Sequence, residues 1–173
     1  LLIEKFECEF LLFSGVAGGI DPEIEIGEVI IADSLIQFDY GTLKNRGITP
    51  YRPGSVPTGE SKNEIEFRID PKIKNKIKAS LPNVRMGKIL TGDVFLQCED
   101  TRNELFKKYG AQAIDMEGAA VAQVAEQFGI PSVIVRCMSD LAGAKKQNLS
   151  SKFLIKAAKR SSKNVQKILN ILL

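Results

Sequence analysis

The sequence predicts an α/β fold in which a mostly parallel or mixed central sheet is covered by helices on both faces. Short apolar segments rich in β-branched residues alternate along the chain with segments of helical periodicity. The apolar run at 130–138, IPSVIVRCM, is typical of a strand buried on both faces of a parallel sheet. We find no internal repeat, low-complexity tract or domain boundary, so we expect residues 1–173 to form one domain.

The first elements are predicted to be the end of a helix at 1–6, a buried strand at 10–14 and a second strand at 28–32. Between the strands, the sequence GVAGG at 15–19 predicts a turn of small residues. Such a turn lets a ligand approach the backbone closely, because no bulky side chain stands in the way. Taken alone, the pattern also fits an ordinary turn without a ligand.

The segment 33–64 is predicted to be a long irregular loop, since glycine and proline interrupt it repeatedly. Loops of this length in compact domains usually serve a function or lie at an interface. Phe38, Tyr40, Leu43 and Tyr51 would give it apolar anchors for a second copy of the chain. A poorly ordered surface loop is the alternative interpretation.

The middle of the chain is predicted to form a lysine-rich helix at 71–79, a strand at 84–90 and a helix at 100–109. The strand runs into a glycine turn, TGDVFLQ, at 91–97. Phe95 in this turn offers a flat apolar face, and its neighbours offer backbone polar groups, a combination that suits a heteroaromatic ring. Considered in isolation, a phenylalanine such as Phe95 is more often part of the core.

The stretch 113–143, AIDMEGAAVAQVAEQFGIPSVIVRCMSDLAG, is predicted to bring two carboxylates to one cleft. A predicted loop at 113–117 carries Met116 and Glu117 and precedes a predicted helix at 118–128, while Ser139 and Asp140 follow the strand at 130–138. Ligands of parallel sheets bind at the carboxyl ends of the strands, and a helix N-terminus favours a carboxylate. Two acids at one pocket indicate acid/base or hydroxyl-binding chemistry, although each could instead be a simple helix cap.

Composition excludes several classes of function. The 173 residues are 44% hydrophobic and 26% charged, as in ordinary soluble proteins, and the net charge of +3 gives no case for nucleic acid as a partner. Binding of acidic polymers by the basic final third, which ends in a predicted helix at 152–173, is an alternative that depends on local charge alone. No apolar run is long enough to cross a bilayer, so we expect no membrane partner.

The titratable residues narrow the chemistry further. The chain has no histidine, which excludes histidine triads and leaves carboxylates as the acid/base groups near neutral pH. Cys8, Cys98 and Cys137 lack metal-binding spacing, so we expect reduced thiols in a cytoplasmic protein, with no metal and no cofactor.

Five motifs fall together in an order and spacing that resemble the purine nucleoside phosphorylase superfamily. They are FSGVAGG at 13–19, GEVIIAD at 27–33, TGDVF at 91–95, IDMEGAAVA at 114–122 and VRCMSDLA at 135–142. Within the superfamily, the chain is most similar to the 5′-methylthioadenosine/S-adenosylhomocysteine nucleosidases. This resemblance implies a three-layer nucleoside phosphorylase-like fold, a homodimer, and hydrolysis of adenine nucleosides in methionine salvage.

The resemblance also implies roles for individual residues. Asp140 would be the general acid that protonates the purine at N7, and Glu117 would hold the ribose hydroxyls while Met116 packs on the sugar. The other implied contacts are Ala17 and Gly18 at the pocket floor, Phe95 and the Leu96 backbone at the base, and Arg136 and Ser139 beside the acid.

Three departures from the family pattern matter for the reaction. Phosphorylases of the superfamily carry an Arg and a Ser around the first glycine turn, where this chain has Phe13 and Val16, so water is expected to be the nucleophile. A His-Asp pair of the family corresponds to Phe38-Asp39 here. The family also opens with strands carrying a glutamate that activates the water, and we expect this chain to begin after them. A phosphorylase and a truncated, non-catalytic nucleoside-binding homologue therefore stay open as alternatives.

Overall fold

A six-stranded mixed sheet organises the residues that the computed structural model describes, which are 1–44, 47–55, 64–143 and 151–173. Its strands are β1 (Leu11–Gly19), β2 (Val29–Gln37), β5 (Phe67–Arg68), β6 (Arg85–Thr91), β7 (Ala113–Asp115) and β8 (Ser132–Leu141). A separate antiparallel pair consists of β3 (Gly41–Lys44) and β4 (Gly47–Pro50). The helices are α1 (Leu2–Phe6), α2 (Pro71–Ser80), α3 (Glu99–Tyr109), α4 (Gly118–Gln127) and α5 (Ser151–Leu172).

The strand order is β5-β2-β6-β7-β1-β8, and β2 also pairs with β8. The pairs β1–β8, β2–β6 and β6–β7 are parallel, whereas β1–β7, β2–β5 and β2–β8 are antiparallel. The additional pairing of β2 with β8 closes five of these strands into a ring. The predicted α/β class with a mixed central sheet is confirmed, and the ring closure is a feature that the sequence pattern does not indicate.

Helices cover both faces of the sheet, as predicted. On β8, Ile134 and Met138 belong to an apolar cluster with residues of α4. The alternate residues Val133 and Val135 belong to a different cluster, with Ile77 of α2 and residues of α5. This alternation follows from the period of two along a strand, and it explains why the segment is apolar without interruption.

Three stretches that the sequence assigns to turns or loops are strands in the structure. Residues 15–19 complete β1, residues 33–37 extend β2, and residues 113–115 form β7. The prediction of a turn at 15–19 is wrong because β1 continues in parallel pairing with β8, up to Gly19 opposite Leu141. Part of the predicted loop at 33–64 is the β3–β4 pair, while residues 45–46 and 56–63 lie outside the described residues.

The predicted helices agree with the structure to within one residue at each end, and the predicted strand at 130–138 is displaced. That strand is β8, which continues through Ser139 and Asp140, so these two residues lie inside it and not after it. Among the described helices, none combines the length and apolar character that crossing a membrane requires.

Candidate active site

A small cavity of about 30 Å³ lies near the carboxyl ends of β1, β7 and β8, beside the turn that follows β6. Its lining residues are Gly18, Val94, Phe95, Leu96, Ile114, Asp115, Met116, Asp140 and Ala142. This set contains five of the residues singled out from the sequence. Two larger grooves, of about 380 and 310 Å³, lie near the amino ends of β2 and β6 and of β8, away from the end where parallel sheets bind ligands.

An irregularity in the pairing of β1 with β8 directs Asp140 into this cavity. Ala17 lies opposite Met138 and Gly18 lies opposite Asp140, so Ser139 is an extra residue in β8. Such a β-bulge bends the strand locally and changes the direction of the side chains that follow it. Gly18 leaves room for the acid, because a Cβ at this position would lie 3.1 Å from Asp140 Oδ1.

The Asp140 carboxyl group is buried, with 6% of the residue exposed. Burial raises the pKa of Asp140, and the hydrogen bond from Ser139 opposes this rise only in part. Ser139 Oγ lies 2.7 Å from Asp140 Oδ2 and 3.3 Å from the Ala17 carbonyl oxygen. Ala17 therefore lies behind the cavity wall and contacts Ser139, whereas Gly18 forms the wall itself.

The Asp39 carboxylate stabilises the turn that carries Phe95. One carboxylate oxygen of Asp39 accepts a hydrogen bond of 2.6 Å from the Asp93 N–H, and the other accepts one of 2.7 Å from Gln37 Nε2. The Phe95 side chain is 58% exposed, which rules out the alternative that it belongs to the core. The Leu96 carbonyl accepts a hydrogen bond of 3.0 Å from the Gly143 N–H, which joins this turn to the end of β8.

Glu117 follows the lining residue Met116 immediately before α4 and is not itself among the residues that line the cavity. Its side chain makes no capping hydrogen bond to the helix, so the alternative of a simple cap is wrong for this residue. The side chain is 59% exposed, and its Oε2 lies 3.6 Å from Nη2 of Arg136. Met116 lines the cavity and leaves much of its own side chain exposed.

Arg136 contacts different residues from those expected. Its Nε donates a hydrogen bond of 2.8 Å to Asp115 Oδ2, and its other ion pair is with Glu117 and not with Asp140. Asp115 is not among the predicted site residues; its side chain is fully buried and also accepts a hydrogen bond of 2.6 Å from Thr91 Oγ1. The available signal was a third acid two residues before Glu117, at the end of an apolar segment.

A buried carboxyl group near the carboxyl end of β8, an exposed aromatic ring and a second, exposed carboxylate form a set of groups suited to a small heteroaromatic glycoside. The chain belongs to the phosphorylase superfamily, whose family model matches residues 1–173.

Individual relatives agree with this assignment. A 5′-methylthioadenosine/S-adenosylhomocysteine nucleosidase of Mycobacterium bovis is 37% identical over 190 aligned positions, covering 99% of this chain and 74% of the relative. An aminodeoxyfutalosine nucleosidase of Campylobacter jejuni is 34% identical, covering 97% of this chain and 72% of the relative.

Solved structures agree as well. The 5′-methylthioadenosine/S-adenosylhomocysteine nucleosidase of Helicobacter pylori, crystallised with butyl-thio-DADMe-Immucillin-A, has a TM-score of 0.82 and 28% identity, covering 98% of this chain and 71% of that chain. The Campylobacter jejuni nucleosidase of the same name has a TM-score of 0.77 and 37% identity, covering 97% of this chain and 72% of that chain.

Proposed function

We propose that this chain is an N-glycosyl hydrolase that releases adenine from 5′-methylthioadenosine and S-adenosylhomocysteine. The observation that carries the proposal is the buried Asp140 carboxyl group, directed by the Ser139 bulge into a cavity that Phe95 and Met116 also line. The names of the relatives support the substrate class. Residues 1–173 act as one nucleoside phosphorylase-like domain.

Asp140 is the general acid in this proposal. A carboxyl group whose pKa is raised by burial keeps its proton to a higher pH than an exposed aspartate. It donates this proton to N7 of the purine as the C1′–N9 bond breaks, so that the bonding electrons leave with a neutral base. Ser139 orients the carboxyl through its 2.7 Å hydrogen bond.

The carboxylate of Glu117 serves the sugar end of the substrate. The side chain is exposed and makes no capping hydrogen bond to α4, so its oxygens are available to accept hydrogen bonds from two ribose hydroxyls. A negative charge here also stabilises the positive charge that develops on the ribosyl group in the transition state. Met116, the preceding residue, packs against the sugar.

The base binds between the Gly18 wall and the turn after β6. Phe95 presents an exposed ring on which a purine can stack. The Leu96 carbonyl already accepts a hydrogen bond from Gly143, so the Leu96 N–H is the group that we assign to the edge of the base.

Water is the attacking nucleophile in this scheme: its oxygen bonds to C1′ as the bond to N9 breaks, and one of its two protons passes to bulk solvent. Arg136 is paired with Asp115 and lies 3.6 Å from Glu117, so these three groups together carry a net negative charge. The Arg136 guanidinium lies 4.4 Å from the ring centre of Phe13, where a phosphorylase of the superfamily would carry a phosphate-binding side chain. This charge balance disfavours a phosphate dianion and therefore favours hydrolysis over phosphorolysis.

The proposal extends to assembly and cellular context. Leu43 on β3 is 78% exposed, and this apolar side chain supports the interpretation that the β3–β4 pair contacts a second copy in a homodimer. The three cysteines are free thiols, as expected in the cytoplasm, where methionine salvage would use the products. Analytical ultracentrifugation of wild type and Leu43→Asp tests the dimer: we expect a two-chain mass for wild type and a one-chain mass for the variant.

An adenine-release assay tests the reaction itself. The purified chain is incubated with 5′-methylthioadenosine, with and without phosphate, and both adenine and the sugar product are quantified. We expect release of adenine and free 5-methylthioribose without phosphate, and a rate about 10² to 10⁴ times lower for Asp140→Asn. Turnover that requires phosphate would establish a phosphorylase instead, and binding of adenine without any turnover would establish a non-catalytic homologue.

A second substrate deserves a parallel assay, because one relative is an aminodeoxyfutalosine nucleosidase. Its reaction class is the same, so the acid, the sugar contacts and the base contacts proposed above would serve both substrates. The ratio of kcat/KM for aminodeoxyfutalosine to that for 5′-methylthioadenosine measures which one this chain prefers.

A further inference from the structure

The Arg136 guanidinium is fixed on several sides within the core beside the cleft. Only 1% of the residue is exposed, its Nε donates a hydrogen bond to Asp115, and its plane lies against the Phe13 ring. Gly15 provides the remaining space, because a Cβ at that position would lie 2.7 Å from Arg136 Nη1. Rotation of the guanidinium away from this orientation would leave a buried charge without its partner.

Asp115 is itself held by groups that do not contact the cleft. Its carboxylate accepts hydrogen bonds of 2.6 Å from Thr91 Oγ1 and of 3.1 Å from the Gly118 N–H at the start of α4. Thr91 Oγ1 in turn accepts a hydrogen bond of 2.9 Å from the Ala119 N–H. The strand end of β6 and the N-terminus of α4 thus fix the position of Asp115, and the helix dipole favours its negative charge.

One group of this cluster has no hydrogen-bond partner. Arg136 Nη2 is buried and makes no hydrogen bond within the described part of the chain, although Glu117 Oε2 lies only 3.6 Å away. A buried charged donor without a hydrogen-bond acceptor destabilises the folded state. The position of Nη2 therefore indicates that an acceptor binds it when the site is occupied. Glu117, whose carboxylate has no hydrogen bond to its helix, is the adjacent acceptor.

We propose that Asp115 is a positioning residue for the sugar end of the cleft. Through Arg136, it fixes the Glu117 carboxylate so that this group accepts hydrogen bonds from both hydroxyls of a ribosyl 2′,3′-diol. The inference rests on the proposed function and adds to it a residue, Asp115, that orients the carboxylate at the sugar end. Asp115 lines the cavity, but its carboxylate is engaged by Thr91, Gly118 and Arg136. Its contribution therefore passes through Arg136 and Glu117 and depends on the presence of the diol.

The test compares Asp115→Asn with wild type on 5′-methylthioadenosine and on its 2′,3′-dideoxy analogue. We expect kcat/KM for the diol substrate to fall about 10- to 100-fold, as for loss of a hydrogen bond to a charged group, with most of the change in KM. For the dideoxy analogue we expect a change of less than about 3-fold. Asp100→Asn, at an exposed aspartate of α3, is the matched control and should leave both values unchanged.

A purely structural role for Asp115 would lower the activity on both substrates equally, and that result would overturn the proposal. So would full additivity of Asp115→Asn with Glu117→Gln, because residues that act through one another are not additive. If thermal melting shows that Asp115→Asn does not fold, Thr91→Val replaces it in the test, because it removes one hydrogen bond to Asp115. We then expect a smaller loss of kcat/KM, confined to the diol substrate. Absence of adenine release by wild type would refute the proposed function, a result distinct from equal losses in an active enzyme.

Discussion

Gly18 lies directly opposite Asp140 across the parallel pair of β1 and β8, and the missing side chain of one residue makes room for the carboxyl group of the other. The register reaches this pairing only because β8 contains one more residue, Ser139, than β1 does at the same point. The bulge and the glycine thus act together. They allow a buried acid to face a cavity and not the neighbouring strand.

Gly18→Ala should lower the rate of adenine release while the chain still folds. The new Cβ would lie 3.1 Å from both Asp140 Oδ1 and Ala142 Cβ, so one of these groups must shift. The backbone itself tolerates the change, since Gly18 has no positive φ. We expect a lower kcat in steady-state kinetics and a cooperative thermal transition.

The double variant Gly18→Ala with Ala142→Gly is the control for this prediction. It removes the contact with Ala142 and leaves the contact with Asp140. The double variant should stay impaired if displacement of the acid is the cause, and recovery of wild-type kcat would attribute the effect to Ala142 instead.

Asp140→Asn should stabilise the protein at neutral and alkaline pH. Burial raises the pKa of Asp140 in the folded state above its unfolded value, so the folded chain binds this proton more tightly. The stability that the protonated acid provides is therefore lost as pH rises through the folded pKa, and asparagine avoids that loss. Thermal melting of both proteins should show a higher Tm for the variant at pH 7 to 8, and a difference that shrinks toward pH 4.

Glu117→Gln should weaken catalysis about 10- to 100-fold in kcat/KM, because a neutral amide makes weaker hydrogen bonds to the ribose and provides no negative charge. Glu117 is exposed and does not cap its helix, so the fold should be unaffected. Glu104→Gln, at an exposed position of α3, is a matched control that should retain wild-type kinetics. Equal kinetics for the two variants would remove Glu117 from the site.

Phe95→Ala should raise KM for adenine nucleosides without a change in stability. Stacking of a base on an aromatic side chain contributes about 1–3 kcal/mol, which corresponds to roughly a 5- to 150-fold increase in KM. Phe128→Ala, just after α4, is the matched control, because Phe128 is also exposed and does not line the cavity. Steady-state kinetics should separate the two variants, and a large loss of Tm in Phe95→Ala would instead indicate a structural role.

Cys98 should react with iodoacetamide before Cys137 does. The hydrogen bonds from the hydroxyl and backbone N–H of Thr101 lower the pKa of its exposed thiol, whereas burial raises the pKa of Cys137. Peptide mass spectrometry over a pH series should show alkylation of Cys98 rising at lower pH than alkylation of Cys137. Faster labelling of Cys137 would contradict the burial that the structure gives it.

Much of the helical structure was predictable because helix signals are local. Asp70 and Pro71 open α2 with a capping side chain and a proline in the first turn, and Gly110 ends α3 in a left-handed conformation. The strand ends were less predictable. Residues 15–19 resemble a turn when considered alone, and pairing with β8 and β7 makes them a strand.

The candidate site divides in the same way. The sequence alone limited which side chains could perform the chemistry, since it contains no histidine and it carries Glu117 and Asp140 in motifs that resemble those of the superfamily. Only the tertiary structure decided their surroundings: the bulge at Ser139, the exposure of Phe95 and the pairing of Arg136 with Asp115. These features depend on register and burial between residues far apart in the chain, and no local pattern of residue types encodes such contacts.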